Sequence, residues 1–361
     1  MASDPYAPTK ALRHLDIVGA VREGRPVRPA HIHLVVSDAC NQHCRYCAYR
    51  DPTYTSSRRF LPDDGSPPRR MMPLAKALEV LDDCVDMGCR AVQFTGGGEP
   101  TVHPDLRAML AGCRDRDLSY AVVTNGVRAH PLVEHLARAA WVRVSLDTAD
   151  SAIYSAIRGV SEWQHEAACS TVREVRDARD RLGTDCVLGV GCVVGPDNWR
   201  ALPALVKLAC SLGADNVSLA PQFSTAGVAI FDGVLDEVLA SCEAAAALDE
   251  PSCRVYNRVP ARIEDMRSGR PAFALCGYSF FVPYVAANLG VYRCCALAYN
   301  DAGLVGNIDG RRFRDLWIDQ ARADGMAAFD ARTCDRCPYH AQGSLLEYVL
   351  SPKEPLHADF V

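Results

Sequence analysis

Between about His31 and Leu219, short runs of β-branched and aromatic residues alternate with segments whose apolar residues recur at helical spacing. Strands that alternate with helices in this way lie parallel in one sheet, each strand joined to the next by its helix. The runs are His33–Ser37, Ala91–Thr95, Tyr120–Thr124, Val142–Leu146, Val187–Val194 and Asn216–Leu219. Six such units predict an α/β fold of the partial (β/α)6, TIM-like barrel type. After Pro73, Leu74, Ala77, Leu78, Leu81 and Val85 recur at helical spacing, and Gly88 stands where a left-handed residue would end the helix. Further helices are expected over roughly 104–116, 131–140, 164–182 and 198–212, with Leu106, Met109, Leu110 and Trp199 as packing residues. The stretch Asp51–Arg70, rich in Pro, Ser, Arg and Asp, reads as a long loop, of a length that is often functional or mobile. In such folds the loops at the carboxyl ends of the strands build the site.

Three of the 17 cysteines stand in Cys40-Asn41-Gln42-His43-Cys44-Arg45-Tyr46-Cys47, directly after the first strand. A cubane iron–sulfur cluster has four irons, so three thiolates from one tight loop hold three of them and leave the fourth open to a ligand. Ordinary thiols or a zinc site are the alternatives. Zinc favours paired C-x2-C hairpins, and only His31, His33 and His43 stand nearby to complete a tetrahedron. The strand Ala91–Thr95 then runs straight into Gly96-Gly97-Gly98-Glu99-Pro100. Consecutive glycines let a backbone approach a ligand closely, and a carboxylate beside them can pair with an ammonium.

In this order, one strand–helix unit apart, the C-x3-C-x2-C loop and the Gly-Gly-Glu run resemble the radical S-adenosylmethionine (radical SAM) enzymes. The resemblance implies a [4Fe–4S] cluster on Cys40, Cys44 and Cys47 whose open iron binds the amino and carboxylate groups of SAM. Reductive cleavage would then yield methionine and a 5′-deoxyadenosyl radical. It further implies that Gly97, Gly98 and Glu99 meet the SAM amino group, and that Ser145, in Val144–Asp147, faces the ribose. Arg158, in Tyr154–Gly159, would meet the carboxylate, while Tyr46 and Gly189–Val194 would pack beside adenine. The structural alternatives are a surface cation for Arg158, a core aromatic for Tyr46 and close strand–helix contacts for the glycines.

A second set comprises Cys276, Cys294, Cys295 and the pair Cys334-Asp335-Arg336-Cys337. With a hairpin over Asn288–Cys294 and a helical stretch over Ser344–Leu350, it resembles the SPASM/Twitch cluster-binding extension. No cysteine follows Cys337, which implies the Twitch form with one auxiliary [4Fe–4S] cluster. The run Val-Tyr-x-Cys favours Cys294 as the hairpin ligand, whereas spacing from Gly290 favours Cys295. A closed four-cysteine zinc site is the alternative here. The division expected is an N-terminal extension over 1–30, the barrel over 31–230, a linking helical segment over 231–270 and the cluster-binding extension over 271–361.

Cys84, Cys89, Cys113, Cys169, Cys210, Cys242 and Cys253 read as small buried apolar residues. Cys186 and Cys192 share one side of the fifth strand by period-two alternation, which makes Cys192 a candidate hydrogen donor to a substrate radical. A formal net charge of -5 with both signs interspersed and no basic stripe argues against nucleic acid as a partner. The N-terminus lacks a secretory pattern and no apolar stretch approaches the ~18 residues of a membrane span, so a cytoplasmic protein without membrane contact is expected. A flavodoxin- or ferredoxin-type electron donor is implied by the resemblance. An auxiliary cluster favours an oxidative step, and only about thirty residues precede the first strand, where peptide maturases often carry a leader-binding domain. The expectation is therefore oxidation or epimerisation of a small natural product of sugar, aminocyclitol or nucleoside type. The alternatives are a SPASM-type maturase of a ribosomally made peptide and a non-catalytic metal-binding protein.

Overall fold

The computed structural model describes residues 4–51, 60–62, 64, 66 and 68–351. Most of the loop expected over 51–70 lies outside them. Its sheet contains β1 (Ile32–Val35), β2 (Ala91–Thr95), β3 (Ser119–Thr124), β4 (Trp141–Ser145), β5 (Val187–Val194), β6 (Asn216–Pro221), β7 (Arg254–Asn257), β8 (Tyr284–Val285), β9 (Gly290–Tyr292) and β10 (Leu304–Asn307). The strand order is β10-β9-β8-β1-β2-β3-β4-β5-β6-β7. Strands β1 to β7 pair in parallel, each with the next, as short crossovers through helices require. The result is a partial barrel.

The six expected strands are present, and the sheet goes further at both edges. The segment 231–270, expected to be a helical link, contains two helices, Leu235–Ala246 and Val259–Ser268, with β7 between them. The hairpin of the extension joins the barrel sheet directly, because β8 pairs in parallel with β1 and in antiparallel with β9. The helix Leu74–Met87 ends as expected at Gly88, whose φ of 78° is the left-handed conformation glycine adopts without a Cβ penalty. No helix among the described residues is long and apolar enough to cross a membrane.

Alternation divides each barrel strand between two faces. Val92, Phe94, Val142, Val144, Leu188 and Val190 are buried against the helices, while Gln93, Arg143 and Gly191 sit on the lumen face. His33 also lies on the lumen side of β1, with its ring 5.3 Å from that of His31 and 6.0 Å from that of Tyr284. Burial pushes His31 down to about 4 and His33 down to about 3, so both rings are neutral at pH 7. The unfolded chain takes up these protons below about pH 6.5, so their contribution to stability is intact above that pH and is lost as pH falls toward the folded values. For one such ring the loss is about 1.4 kcal/mol at pH 5.5. Urea unfolding at pH 7 and pH 5.5 should therefore show a smaller acid-induced drop in His33→Gln than in the unsubstituted protein; equal drops would refute the burial argument.

Candidate functional site

Exposure sorts the cysteines into three groups. Cys40, Cys44, Cys47, Cys276, Cys294, Cys295, Cys334 and Cys337 are partly exposed free thiols. Cys84, Cys89, Cys113, Cys169, Cys186, Cys192 and Cys242 are buried ones. Cys210 and Cys253, expected to be separate buried thiols, are instead joined as a disulfide with Cα atoms 5.6 Å apart. The reason is β7: it pairs with β6, which brings the residue before it, Cys253, beside the last turn of the helix Leu202–Ser211.

The three-cysteine loop lies at the carboxyl end of β1, clasped from two sides. Gly98 N–H donates to Ser37 O at 2.9 Å and Glu99 N–H to Ala39 O at 2.8 Å, so the end of β2 packs backbone to backbone on the loop. A Cβ on Gly98 would stand 2.1 Å from Ala39 O and one on Gly97 2.7 Å from Asp38 Oδ1, so both positions need glycine for this approach. On the other flank His43 N–H donates to Arg158 O and Arg45 N–H to Ile157 O, at 2.9 and 3.0 Å. These are the last residues of the helix Ser151–Arg158.

Two side chains expected to contact SAM make hydrogen bonds to the frame around the loop. The Glu99 carboxylate, 4% exposed, accepts from Thr101 N–H, Thr101 Oγ1, Thr124 Oγ1 and Asn125 N–H at 2.6–3.0 Å. Burial raises its pKa and these four donors oppose the rise. It is turned into the sheet ends, toward Thr101, Thr124 and Asn125. Arg158, 2% exposed, donates to Asp147 Oδ2 at 2.6 Å and to Gln42 Oε1 at 2.7 Å. It ties the cysteine loop to the end of β4 and is enclosed rather than open to a carboxylate. Asp147 also accepts from Val193 N–H at 2.9 Å and from the Tyr46 hydroxyl. Gln42 carries no signal of its own in the sequence, and Asp147 stands in the Val144–Asp147 segment without a sign of this duty beyond its place two residues past β4, where its φ of 63° is a conformation Asp tolerates better than most residues.

Tyr46 and Val193 line a crevice of about 240 Å³ at the carboxyl ends of β5 and β6, together with Ile157, Gly195, Asn198 and Gln222. Ser145 ends β4 half-buried on the lumen face, paired with Gly191. Cys192 does share a face with Cys186, but it is the face toward the helices. Its thiol donates to Asp147 O at 3.4 Å and receives Asn198 Nδ2 at 3.7 Å, and it is 3% exposed. That placement removes the basis for Cys192 as a hydrogen donor into the lumen.

In the extension, Cys276, Cys294, Cys334 and Cys337 line one cavity of about 450 Å³, walled by Phe273, Tyr278 and Leu297. Cys295 is absent from that wall. Its thiol lies 3.1 Å from Tyr339 Oη and packs against an aromatic cluster that includes Tyr284 and Tyr299, with Tyr49 alongside. The turn explains the discrepancy with the glycine spacing: the left-handed residue of the hairpin is Leu289, φ 62°, and not Gly290. Counting from the true turn position moves the expected position back by one, to Cys294. Cys294→Ala should therefore lower the iron content of reconstituted protein by about half of what the two cubanes hold, and Cys295→Ala should leave it unchanged. Iron lost equally from both variants would refute this assignment.

The donor sets fit iron–sulfur clusters in their chemistry: three free thiols in one loop, and four around one apolar cavity. Among the described residues no group of three or more His, Cys, Asp and Glu side chains is gathered tightly enough for a single metal ion. Burial pushes Cys40, Cys334 and Cys337 up to about 12, so these thiols hold their protons until a metal displaces them.

A partial barrel with a trio of free thiols at the end of its first strand and a crevice at the strand ends has the parts of a cofactor-binding site of the (β/α) barrel class. Residues 34–209 match the Radical SAM superfamily, so the chain carries a domain of that kind. The family binds a [4Fe–4S] cluster and SAM. Among curated relatives, the GTP 3',8-cyclase of Rhodococcus opacus is 31% identical over 137 residues, 36% of this chain and 34% of the relative. The PqqA peptide cyclase of Streptomyces rochei is 29% identical over 201 residues, 53% of this chain and 48% of the relative. The chain thus spans between a third and a half of the length of these two. Among solved structures, Streptococcus suis SuiB bound to S-adenosylmethionine aligns with a TM-score of 0.65 at 16% identity, over 92% of this chain and 77% of that one. Native anSMEcpe with bound AdoMet aligns with a TM-score of 0.58 at 14% identity, over 89% and 96% of the two chains. At such identities the likeness is one of fold, and it extends through the C-terminal extension as well as the barrel.

Proposed function

We propose that this radical SAM enzyme acts on a peptide, abstracting a hydrogen atom from it and closing a new bond within it. The observation that carries the reading is the division of the partly exposed thiols into two sets, one at the barrel mouth and one in the extension. Cys40, Cys44 and Cys47 would hold the reducing cluster; Cys276, Cys294, Cys334 and Cys337 would hold the auxiliary one. Bound at the barrel mouth, cluster and SAM together supply the 5′-deoxyadenosyl radical. The chain's own part is to position and exclude: Gly97 and Gly98 present backbone to SAM, Tyr46 walls the crevice, and the Asp147–Arg158–Gln42 web fixes the loop. The barrel keeps water and competing hydrogen donors from the radical.

A peptide is favoured over the sugar, aminocyclitol or nucleoside expected from the sequence. The small-molecule preference rested on the short stretch before β1, and where a chain begins says nothing about its substrate. Two relatives of this chain carry the word cyclase in their names, one of them a peptide cyclase. Solved structures of the same fold include SuiB bound to the precursor peptide SuiA. Ring closure between two C–H or X–H positions removes two hydrogens: one would leave as an atom on 5′-deoxyadenosine and the other as a proton, and a cluster held by Cys276, Cys294, Cys334 and Cys337 would take up the electron. A flavodoxin- or ferredoxin-type protein of a reducing cytoplasm would supply the initiating electron.

The test is anaerobic reconstitution followed by dithionite and SAM, alone and with short peptides encoded beside the gene. The expected result is 5′-deoxyadenosine, increased by one peptide, whose mass falls by two hydrogens. Turnover of a sugar or aminocyclitol with no response to any such peptide would overturn the peptide reading.

A further inference from the structure

We infer that the barrel lumen holds an oxyanion-binding subsite made by Arg143, Arg258 and Tyr6, which seats an acidic group of the substrate. The inference rests on the reading of the barrel as the reaction chamber and names a property of what enters it.

Arg143 projects from the lumen face of β4, paired across the sheet with Gly189. Its stem lies over Gly191, where a Cβ would stand 2.8 Å from Arg143 Cδ, so glycine on β5 makes room for the arginine. The guanidinium lies 5.2 Å from the Trp141 ring centroid and 5.4 Å from that of Tyr6, and donates to Tyr6 Oη at 2.5 Å. Arg258 follows β7 at its carboxyl end, held by its N–H to Leu219 O at 3.0 Å. Its guanidinium lies 4.3 Å from the same Tyr6 ring. Two cations thus converge on one phenol.

Neither has a carboxylate partner among the described residues. The Nε atoms of both are buried without a hydrogen-bond partner. So is the hydroxyl of Ser218, which pairs with Gly191 on one side and with Tyr256 on the other. The Tyr256 ring lies 5.4 Å from that of Tyr6, so Ser218 sits one residue pair across the sheet from the ring that neighbours the phenol both arginines approach. Burial pushes Arg258 down to about 10 against the pull of Tyr6, and Arg262 and Arg143 deepen the depression. Partly buried charges without counter-charge are costly, and an unpartnered buried polar atom calls for a partner, either a ligand or ordered water. Two guanidinium forks and a hydroxyl match a carboxylate or a phosphate group. In a chain of net charge -5 this cationic lumen selects for an acidic substrate.

The experiment uses reconstituted holoenzyme and two radiolabelled probes, acetate and inorganic phosphate, in equilibrium dialysis at constant ionic strength with chloride as balance. Saturable binding of one of them is expected, at least tenfold weaker in Arg143→Gln and in Arg258→Gln, with Arg258→Lys recovering part of it. Stronger binding of acetate identifies a carboxylate substrate, such as an acidic peptide side chain or terminus; stronger binding of phosphate identifies a phosphorylated one. Absence of saturable binding of both probes to the unsubstituted holoenzyme overturns the inference, as does equal binding by both Gln variants. SAM cleavage without substrate is measured on the same samples. Cleavage intact with probe binding absent defeats this inference alone, whereas absent cleavage defeats the reading of the enzyme.

Discussion

Replacing Cys40, Cys44 and Cys47 together by alanine is expected to abolish 5′-deoxyadenosine formation while leaving about half of the iron bound. The expectation follows from the separation of the two thiol sets. One is clasped between the end of β2 and the helix Ser151–Arg158; the other lines a cavity built from residues 271–343. No thiol belongs to both. Because the loop is held by backbone hydrogen bonds from Gly98, Glu99, His43 and Arg45, loss of the three thiols leaves its frame intact. The complementary substitution, Cys334→Ala with Cys337→Ala, should empty the extension and preserve SAM cleavage in the absence of substrate. Iron quantitation and the product assay on the two triple and double variants decide the matter. Iron lost together from both sites in either variant would refute two independent clusters.

Strand placement in the barrel was legible because β-branched runs between helical segments leave few topologies. The loop cysteines and the glycine run were legible for a similar reason: contiguous residues with a fixed spacing act as a unit wherever the fold puts them. What was not legible depends on residues far apart in the chain. β7 is the short run Arg254-Val-Tyr-Asn, too brief for a periodic signal, and it becomes a strand by pairing with β6. The disulfide between Cys210 and Cys253 exists only because of that pairing. Alternation along β5 correctly put Cys186 and Cys192 on one side, but which side faces the lumen depends on the neighbours, and those are helices. The choice between Cys294 and Cys295 turned on Leu289, a left-handed residue no spacing rule anticipates. The partners of Glu99 and Arg158 were not legible either, since resemblance identifies a position, whereas Thr124, Asn125 and Asp147 reach it only through the fold.

The second large effect is expected at Asp147 and Arg158. Their ion pair is 2.6 Å long, with side chains 1% and 2% exposed. Removing one partner of such a pair strands the other's charge in the interior, at a cost of about 3–5 kcal/mol, whereas removing both charges with similar volumes is often close to neutral. Arg158→Met leaves Asp147 with only Val193 N–H and the Tyr46 hydroxyl, and it releases Gln42 from the guanidinium. Asp147→Asn keeps a residue suited to φ 63° and so isolates the charge from the backbone. Each single variant should lose about 3 kcal/mol or more in urea unfolding, and the double variant should recover most of it, giving a large coupling energy. Stability and SAM binding should then separate. Tyr46 hangs on Asp147, and Tyr46 walls the crevice, so the refolded double variant is expected to bind SAM more weakly than its stability alone would suggest. Additive losses in the cycle would show that the pair is not a unit. Full-strength SAM binding in the stable double variant would show that the web has no part in shaping the crevice.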